Sequence, residues 1–191
     1  MRPTIAVTVR SVHLPTITWR CPTCHRPETF TCSERFRANA NGKLVDIWLI
    51  YRCRRCDATK NVTVVERTPV RRVPPDLLRA AQDNDAATAR RLARDVDLLR
   101  RAGVAVAEGD RWTLDSPPQA IGADAATLHL ELPEPLLVRL DAVVAAASGL
   151  PRRAVHERLV PAPGAPRADA LRRWGSAEVV LRHVGQRHVP V

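Results

Sequence analysis

Two C-x-x-C pairs constrain this chain more than any other feature. They are Cys21-Pro-Thr-Cys24 and Cys53-Arg-Arg-Cys56, with 28 residues between them. A C-x-x-C turn directs two thiolates at one tetrahedral metal ion, and two such turns complete a closed four-sulfur site. The separation exceeds the common spacing of about 15–20 residues and leaves room for a long hairpin. A structural Zn2+ held by Cys21, Cys24, Cys53 and Cys56 is therefore the expected cofactor. Two other uses of paired cysteines fit less well. Disulfides belong to oxidising compartments, and the start MRPTIAVTVRSVHLP lacks the apolar core of a secretory leader. A redox C-x-x-C lies between a strand and a helix, whereas neither pair here precedes a helical pattern. His25 is a further candidate ligand, but four thiolates already fill a tetrahedron.

The residues between the pairs read as a β-hairpin. Asn41-Gly42 is a strong turn signal, since a type I′ turn needs positive φ at both central residues. With those two in the turn, Ala38 faces Val45, Phe36 faces Ile47, Glu34 faces Leu49 and Cys32 faces Tyr51. That register gathers the apolar side chains on one face. Arg35, Arg37 and Trp48 then lie on the other. Residues 61–67 (NVTVVER) read as a third strand, and Ile5 to Val9 as an added N-terminal one. The expectation for residues 1–68 is a zinc ribbon, a three-stranded antiparallel sheet with the metal at its open end. Cys32, the fifth cysteine, reads as a core thiol on the inward face, with a nucleophilic or regulatory role as the alternative.

Charge is unevenly placed. The whole chain carries a formal +10. Residues 1–72 hold 14 basic and 5 acidic side chains, residues 73–120 hold 7 and 8, and residues 121–191 hold 9 and 7. An excess confined to the first third suggests an anionic partner, with RNA expected first and DNA or a protein surface as alternatives. Only Lys43 and Lys60 are lysines, so arginine enrichment of genomic origin is the competing explanation. Arg35, Arg37, Arg52, Arg54 and Arg55, with Trp48, make a candidate basic and aromatic surface. No apolar run approaches the roughly 18 residues of a membrane span. The chain reads as cytoplasmic, with no membrane partner.

Past a stiff linker, Thr68 to Pro75, Asp76 and Asp85 open two helices, the second running to Gly103. Val104 to Val106 and Arg111 to Leu114 read as a small hairpin. Residues 74–115 thus form a short helical middle. After a second linker from Asp115 to Ala126, a strand covers Thr127 to Leu132. Helices follow from Pro135 and from Arg152 to Val160, and a strand from Ser176 to Val184. No phosphate-binding glycine loop and no catalytic triad pattern is present.

Two resemblances bear on this reading. The strings WRCPTC (residues 19–24), FTCSERFRANANGK (30–43) and DIWLIYRCRRC (46–56) resemble an uncharacterised family of small bacterial proteins. In that family a double C-x-x-C domain precedes a helical segment, and the likeness implies no activity. Arg139-Leu-Asp-Ala-Val-Val, with Gly149-Leu-Pro-Arg-Arg-Ala-Val-His-Glu-Arg-Leu-Val160, resembles the α-L RNA-binding domain. That domain occurs in a small-subunit ribosomal protein, tyrosyl-tRNA synthetases and pseudouridine synthases. The likeness implies an RNA-binding module over 127–185, with Arg139, Arg152, Arg153 and Arg158 as phosphate contacts. Pro151 stands where serine is usual, and Pro161-Ala-Pro-Gly-Ala-Pro166 replaces a strand. The alternative is a plain helix-turn-helix packing unit in which Arg139 and Asp141 make a local ion pair.

The resulting expectation is an α+β protein of three modules: zinc ribbon, helical middle with small hairpin, and an α-L-like two-helix-plus-strand unit. Its expected role is non-enzymatic RNA binding. A protein-interaction adaptor and an enzyme using Cys32 are the alternatives.

Overall fold

A computed structural model of the chain describes residues 4–117, 121, 125–160 and 167–182. They fall into two compact units, His13–Asp110 and Met1–Val12 with Arg111–Val191.

The first of these is built on alternation. In LVDIWLIYRC every second side chain from Val45 to Cys53 is buried, the period-2 pattern of a strand with one face in a core. Five strands form one sheet: β1 lies elsewhere (Thr4–His13), and here come β2 (Thr16–Arg20), β3 (Pro27–Asn41), β4 (Leu44–Cys53), β5 (Thr59–Pro69) and β6 (Ala105–Glu108). Their order is β5-β4-β3-β2-β6. Ile17, Phe30, Ile47, Leu49 and Tyr51 are completely buried on the inner face. Three short helices supply the other half of that core through Ala80, Ala81, Ala89, Leu92, Ala93, Leu98 and Leu99. They are α1 (Pro75–Asp83), α2 (Ala86–Ala93) and α3 (Val96–Arg101). The expected single helix to Gly103 breaks at Asp95, whose carboxylate accepts from the N–H groups of Asp97 and Leu98 and so starts α3 as an N-cap.

The β3–β4 hairpin forms with its register moved by two residues. Asn41 pairs with Leu44, Ala38 with Ile47 and Phe36 with Leu49. Gly42, at φ 60°, and Lys43 are the turn residues. Lys43 does not share the positive φ, which fits glycine at the first position of a II′ turn rather than Asn-Gly in a I′ turn. A two-residue shift keeps every side chain on its expected face. A bulge at Ser33–Arg35, with Glu34 at φ 58°, then restores the expected Cys32–Tyr51 pair.

The other unit has a second five-stranded sheet, ordered β10-β12-β8-β1-β7. Its strands are β7 (Arg111–Leu114), β8 (Ala126–Glu131), β10 (Leu159–Val160) and β12 (Ala177–Leu181), with β1 between β7 and β8. β1 runs parallel to β8, from Thr4 opposite Thr127 to Thr8 opposite Glu131. Ile5, Val7 and Val9 face Leu128, Leu130 and the helices α4 (Leu140–Ser148) and α5 (Arg152–Arg158) in one core. β9 (Leu136–Val138) and β11 (Arg172–Trp174) make a two-stranded sheet.

The expected architecture needs correction in several respects. The described residues are predominantly β, with sheets of five, five and two strands. Among the described residues there is no three-stranded ribbon, because β2 and β6 extend that sheet and the helices share its core. The strand at Ile5–Val9 belongs to the other sheet. Among the described residues there is no α-L module: α4 and α5 form, but they are packed on a sheet whose interior strand comes from the N-terminus. Leu136 to Val138 form a strand rather than a helix start, since three consecutive buried apolar residues suit a strand enclosed on both faces. The small hairpin is absent too, because β6 pairs with β2 while β7 joins β1. Val184 and residues 161–166 lie outside the described residues.

Candidate metal centre

The two C-x-x-C segments are the same turn built twice. Cys21 N–H donates to the Arg26 carbonyl and His25 N–H to the Cys21 carbonyl, both at 2.9 Å. Cys53 N–H donates to Ala58 and Asp57 N–H to Cys53, again both at 2.9 Å. The residue after each second cysteine is left-handed, His25 at φ 58° and Asp57 at φ 60°. Short polar Asp and ring-bearing His are among the non-glycine residues that visit that region most often. One turn joins β2 to β3 and the other joins β4 to β5. Because β3 pairs with β4, both turns emerge at one end of the sheet, and Arg54 N–H donates to the Thr29 carbonyl at 3.0 Å to hold them together.

The sulfurs of Cys21, Cys24, Cys53 and Cys56 lie within 4.8 Å of one another. Cys21 Sγ and Cys56 Sγ, from different turns, are 3.4 Å apart. Zinc–sulfur bonds of about 2.3 Å in a tetrahedron put the sulfurs about 3.8 Å apart, so a small thiophilic dication fits this set. Electrostatics point the same way. Burial raises the Cys21 thiol, but hydrogen bonds from the Cys24 and Thr23 N–H groups and the Cys56 thiol outweigh it and hold it at about 7. Cys24 is pushed well above the usual thiol range by burial and by the neighbouring sulfurs. Four such groups cannot all ionise together without a cation between them. A metal held by all four would have no open coordination position, the arrangement of a structural site. His25 serves as the left-handed turn residue and is outside this group.

Cations surround this end of the sheet. Glu28 bridges the two turns, accepting from Arg26 at 2.6 Å and lying 3.8 Å from Arg55. Arg52 pairs with Asp57 at 2.7 Å. The Lys60 ammonium sits 4.2 Å from the Trp19 ring centre, and Trp19 meets Phe30 edge-on. Among the described residues, Arg20, Arg35 and Arg54 are exposed or partly exposed and have no described carboxylate partner. On the outer face, Arg37 and Trp48 are direct cross-strand partners, with the guanidinium 5.8 Å from the ring centre. Arg35 sits in the β3 bulge beside Glu34 at φ 58°, where the alternation is interrupted. Of the sequence-selected trio, Arg37 and Trp48 come together on β3 and β4.

Cys32 is apart from the metal group. Its sulfur accepts from Glu34 N–H at 3.4 Å and packs against the core. Burial pushes its thiol up to about 12, which keeps it protonated and poorly nucleophilic near neutrality.

The C-terminal arginines are engaged locally. Asp141 has a fully buried side chain, and Arg152 reaches it at 2.7 Å, His156 at 3.0 Å and Arg139 at 3.3 Å. The local pair Arg139–Asp141 therefore exists, within a larger hub. Burial raises the Asp141 carboxyl, but Arg139 and Arg152 outweigh it and hold it below its usual range. Arg158 is buried, and its Nε donates to the Arg182 carbonyl at 2.8 Å. Arg153 is exposed and pairs with Glu157 at 3.2 Å.

Reading the sequence missed Asn84 and the buried pair Arg94–Asp110. Asn84 is the left-handed C-cap of α1, and its side-chain oxygen accepts from Phe36 N–H at 2.8 Å, docking the helix on the β3 bulge. A cap signal was available there, since asparagine tolerates positive φ. Arg94 and Asp110 meet at 2.8 Å with 3% and 0% side-chain exposure; nothing in the sequence marks charges sixteen positions apart as partners.

A family model described as "Protein of unknown function (DUF1062)" matches residues 38–161, roughly two thirds of the chain. No curated protein and no solved structure matches the chain significantly. Among the described residues, no helix is long and apolar enough to cross a membrane.

Proposed function

The chain belongs to the DUF1062 family, and we propose that it is a non-enzymatic RNA-binding protein whose Cys21, Cys24, Cys53 and Cys56 hold a structural Zn2+. The metal locks the two turns at the end of the sheet and thereby fixes the arginines they carry. The observation that carries the reading is the placement of cations. Arg20, Arg35 and Arg54 have no described carboxylate partner; Arg20 and Arg54 adjoin the cysteine turns, and Arg35 lies at the β3 bulge. Phosphate contacts of this kind bring counterion release and a steep salt dependence. The C-terminal candidates are partly engaged within the fold: Arg139 and Arg152 share one buried carboxylate, Asp141, and Arg158 is buried.

The test is fluorescence anisotropy of the full-length zinc-loaded protein with labelled RNA and DNA oligonucleotides across a salt series. Binding that weakens linearly in log–log form, and that falls when Arg20 and Arg54 are both changed to Ala, supports the reading. No binding of any nucleic acid by folded, zinc-loaded protein overturns it and leaves the protein-adaptor role.

A further inference from the structure

We infer that the four-cysteine centre is a modification site for peroxide, at which Cys56 is oxidised first and Cys21 closes a disulfide with it, releasing the metal. The inference rests on the metal reading of Cys21, Cys24, Cys53 and Cys56 and adds a reversible redox state to that centre.

The four cysteines are unequally placed. Cys21 and Cys53 are buried, Cys24 is half-buried and Cys56 is exposed. Oxidation follows thiolate character and exposure together. A metal-bound thiol is deprotonated outright, so all four would have the thiolate character and exposure selects Cys56. Its surroundings are electropositive. Arg54 and Arg55 precede it, both exposed, and Arg54 has no described carboxylate partner. Partial exposure beside cations is the environment of a reactive cysteine rather than an inert one.

The resolving sulfur is already in place. Cys21 Sγ, on the other turn, lies 3.4 Å from Cys56 Sγ. The approach of the two turns is also held from outside the sulfur group, by Arg54 N–H on the Thr29 carbonyl at 3.0 Å and by Glu28 between Arg26 and Arg55. In the first step the Cys56 thiolate attacks one peroxide oxygen, the O–O bond breaks, and a sulfenic acid forms as hydroxide leaves. The Cys21 thiolate then attacks the Cys56 sulfur, forms the S–S bond and expels a second hydroxide. Two thiolates lose two electrons and the peroxide gains them. Cys24 and Cys53 are left as the only thiolate ligands, too few to complete a tetrahedral site. The disulfide ties the same two turns that the metal ties, so this end of the sheet stays closed in both states. Cys32 is the contrast within the same sheet: burial keeps its thiol protonated at neutrality, and peroxide should spare it.

The test adds hydrogen peroxide to the full-length zinc-loaded protein, reads released zinc with a chromogenic chelator and maps disulfides by mass spectrometry. Trypsin cuts after Arg54 and Arg55, so it separates Cys53 from Cys56 and distinguishes a bond between the turns from one within a turn. Peroxide should release about one equivalent of zinc as the Cys21–Cys56 bond forms, and a thiol reductant with added zinc should restore binding. Cys56→His keeps a set of three cysteines and one histidine, which also holds zinc, and it should retain its metal through the same treatment. Cys24→His should release zinc as the unaltered protein does, with the same bond. If a histidine variant fails to fold, the disulfide map of the unaltered protein decides alone. Zinc retained under peroxide, a bond confined to Cys21–Cys24 or Cys53–Cys56, equal release from folded Cys56→His, or a loss that reductant does not reverse overturns the switch and leaves the metal reading standing. Reduced protein that holds no zinc before peroxide is added overturns the metal reading, and the inference with it.

Discussion

At the scale of single residues, two cysteine environments have opposite consequences. The four clustered thiols could ionise together only around a cation, which their spacing would admit. Cys21→Ser or Cys56→Ser should reduce bound zinc from one equivalent to a small fraction and lower the melting temperature sharply. Structural zinc in small peptides contributes on the order of 10 kcal/mol. Metal analysis by mass spectrometry together with a thermal melt checks this; full zinc with an unchanged melt would contradict the assignment. Cys32 has the reverse character, since folding opposes its ionisation. Its thiol rises from 9.0 to about 12, so its contribution to stability is complete below the unfolded value and is lost as pH rises from there toward 12. Tyr51, pushed above 10.0 chiefly by burial, adds a loss of the same sign. Urea midpoints should therefore fall across that alkaline range, and Cys32→Ala should flatten part of the fall. An identical pH profile in the variant would show that Cys32 titrates as if unfolded.

The decisive features at the scale of elements are the ends and irregularities. The β3 bulge exposes the Phe36 N–H, and Asn84 at the end of α1 accepts from it. Asn84→Ala removes that bond and places alanine at φ 54°, so a loss of about 1–2 kcal/mol is expected. Asn84→Gly should recover the backbone part alone. Denaturant unfolding of both variants separates the two terms; equal stability of all three proteins would remove Asn84 from the docking argument. The same scale explains why some elements were legible and others not. β4 announces itself by strict alternation and Asp85 is an N-cap residue by chemistry, whereas the Asp95 cap that starts α3 lies within what reads as one helix running to Gly103. The register of the hairpin depended on which residue pair occupied the turn, a choice between two dipeptides sharing Gly42. The helix expected from Pro135 failed because Leu136, Leu137 and Val138 satisfy a helical stripe and a buried strand equally well.

Over the whole molecule, chain order and spatial order diverge. The first twelve residues belong with residues 111–191, and β1 fills an interior place between β7 and β8. A fragment of residues 13–110 should then fold cooperatively and bind one equivalent of zinc. A fragment of residues 111–191 should remain unfolded, because it lacks Ile5, Val7 and Val9 from its core, and adding residues 1–12 as a peptide should restore some structure. Circular dichroism and two-dimensional NMR of the fragments check this; a well-folded 111–191 fragment would show β1 to be dispensable.

By itself the sequence determined the grouping of Cys21, Cys24, Cys53 and Cys56, the alternation of β3 and β4, the helical nature of residues 76–101 and the basic bias of the first third. Each depends on local spacing or composition, which a linear reading captures. Tertiary structure alone decided that β1 crosses to the other sheet, that β6 and β7 part company, and that Arg139, Arg152 and His156 converge on Asp141. Strand partnership is a non-local choice. It is settled by which apolar faces can be buried together and which buried charges can be paired, and the energy of those contacts appears only once distant segments meet.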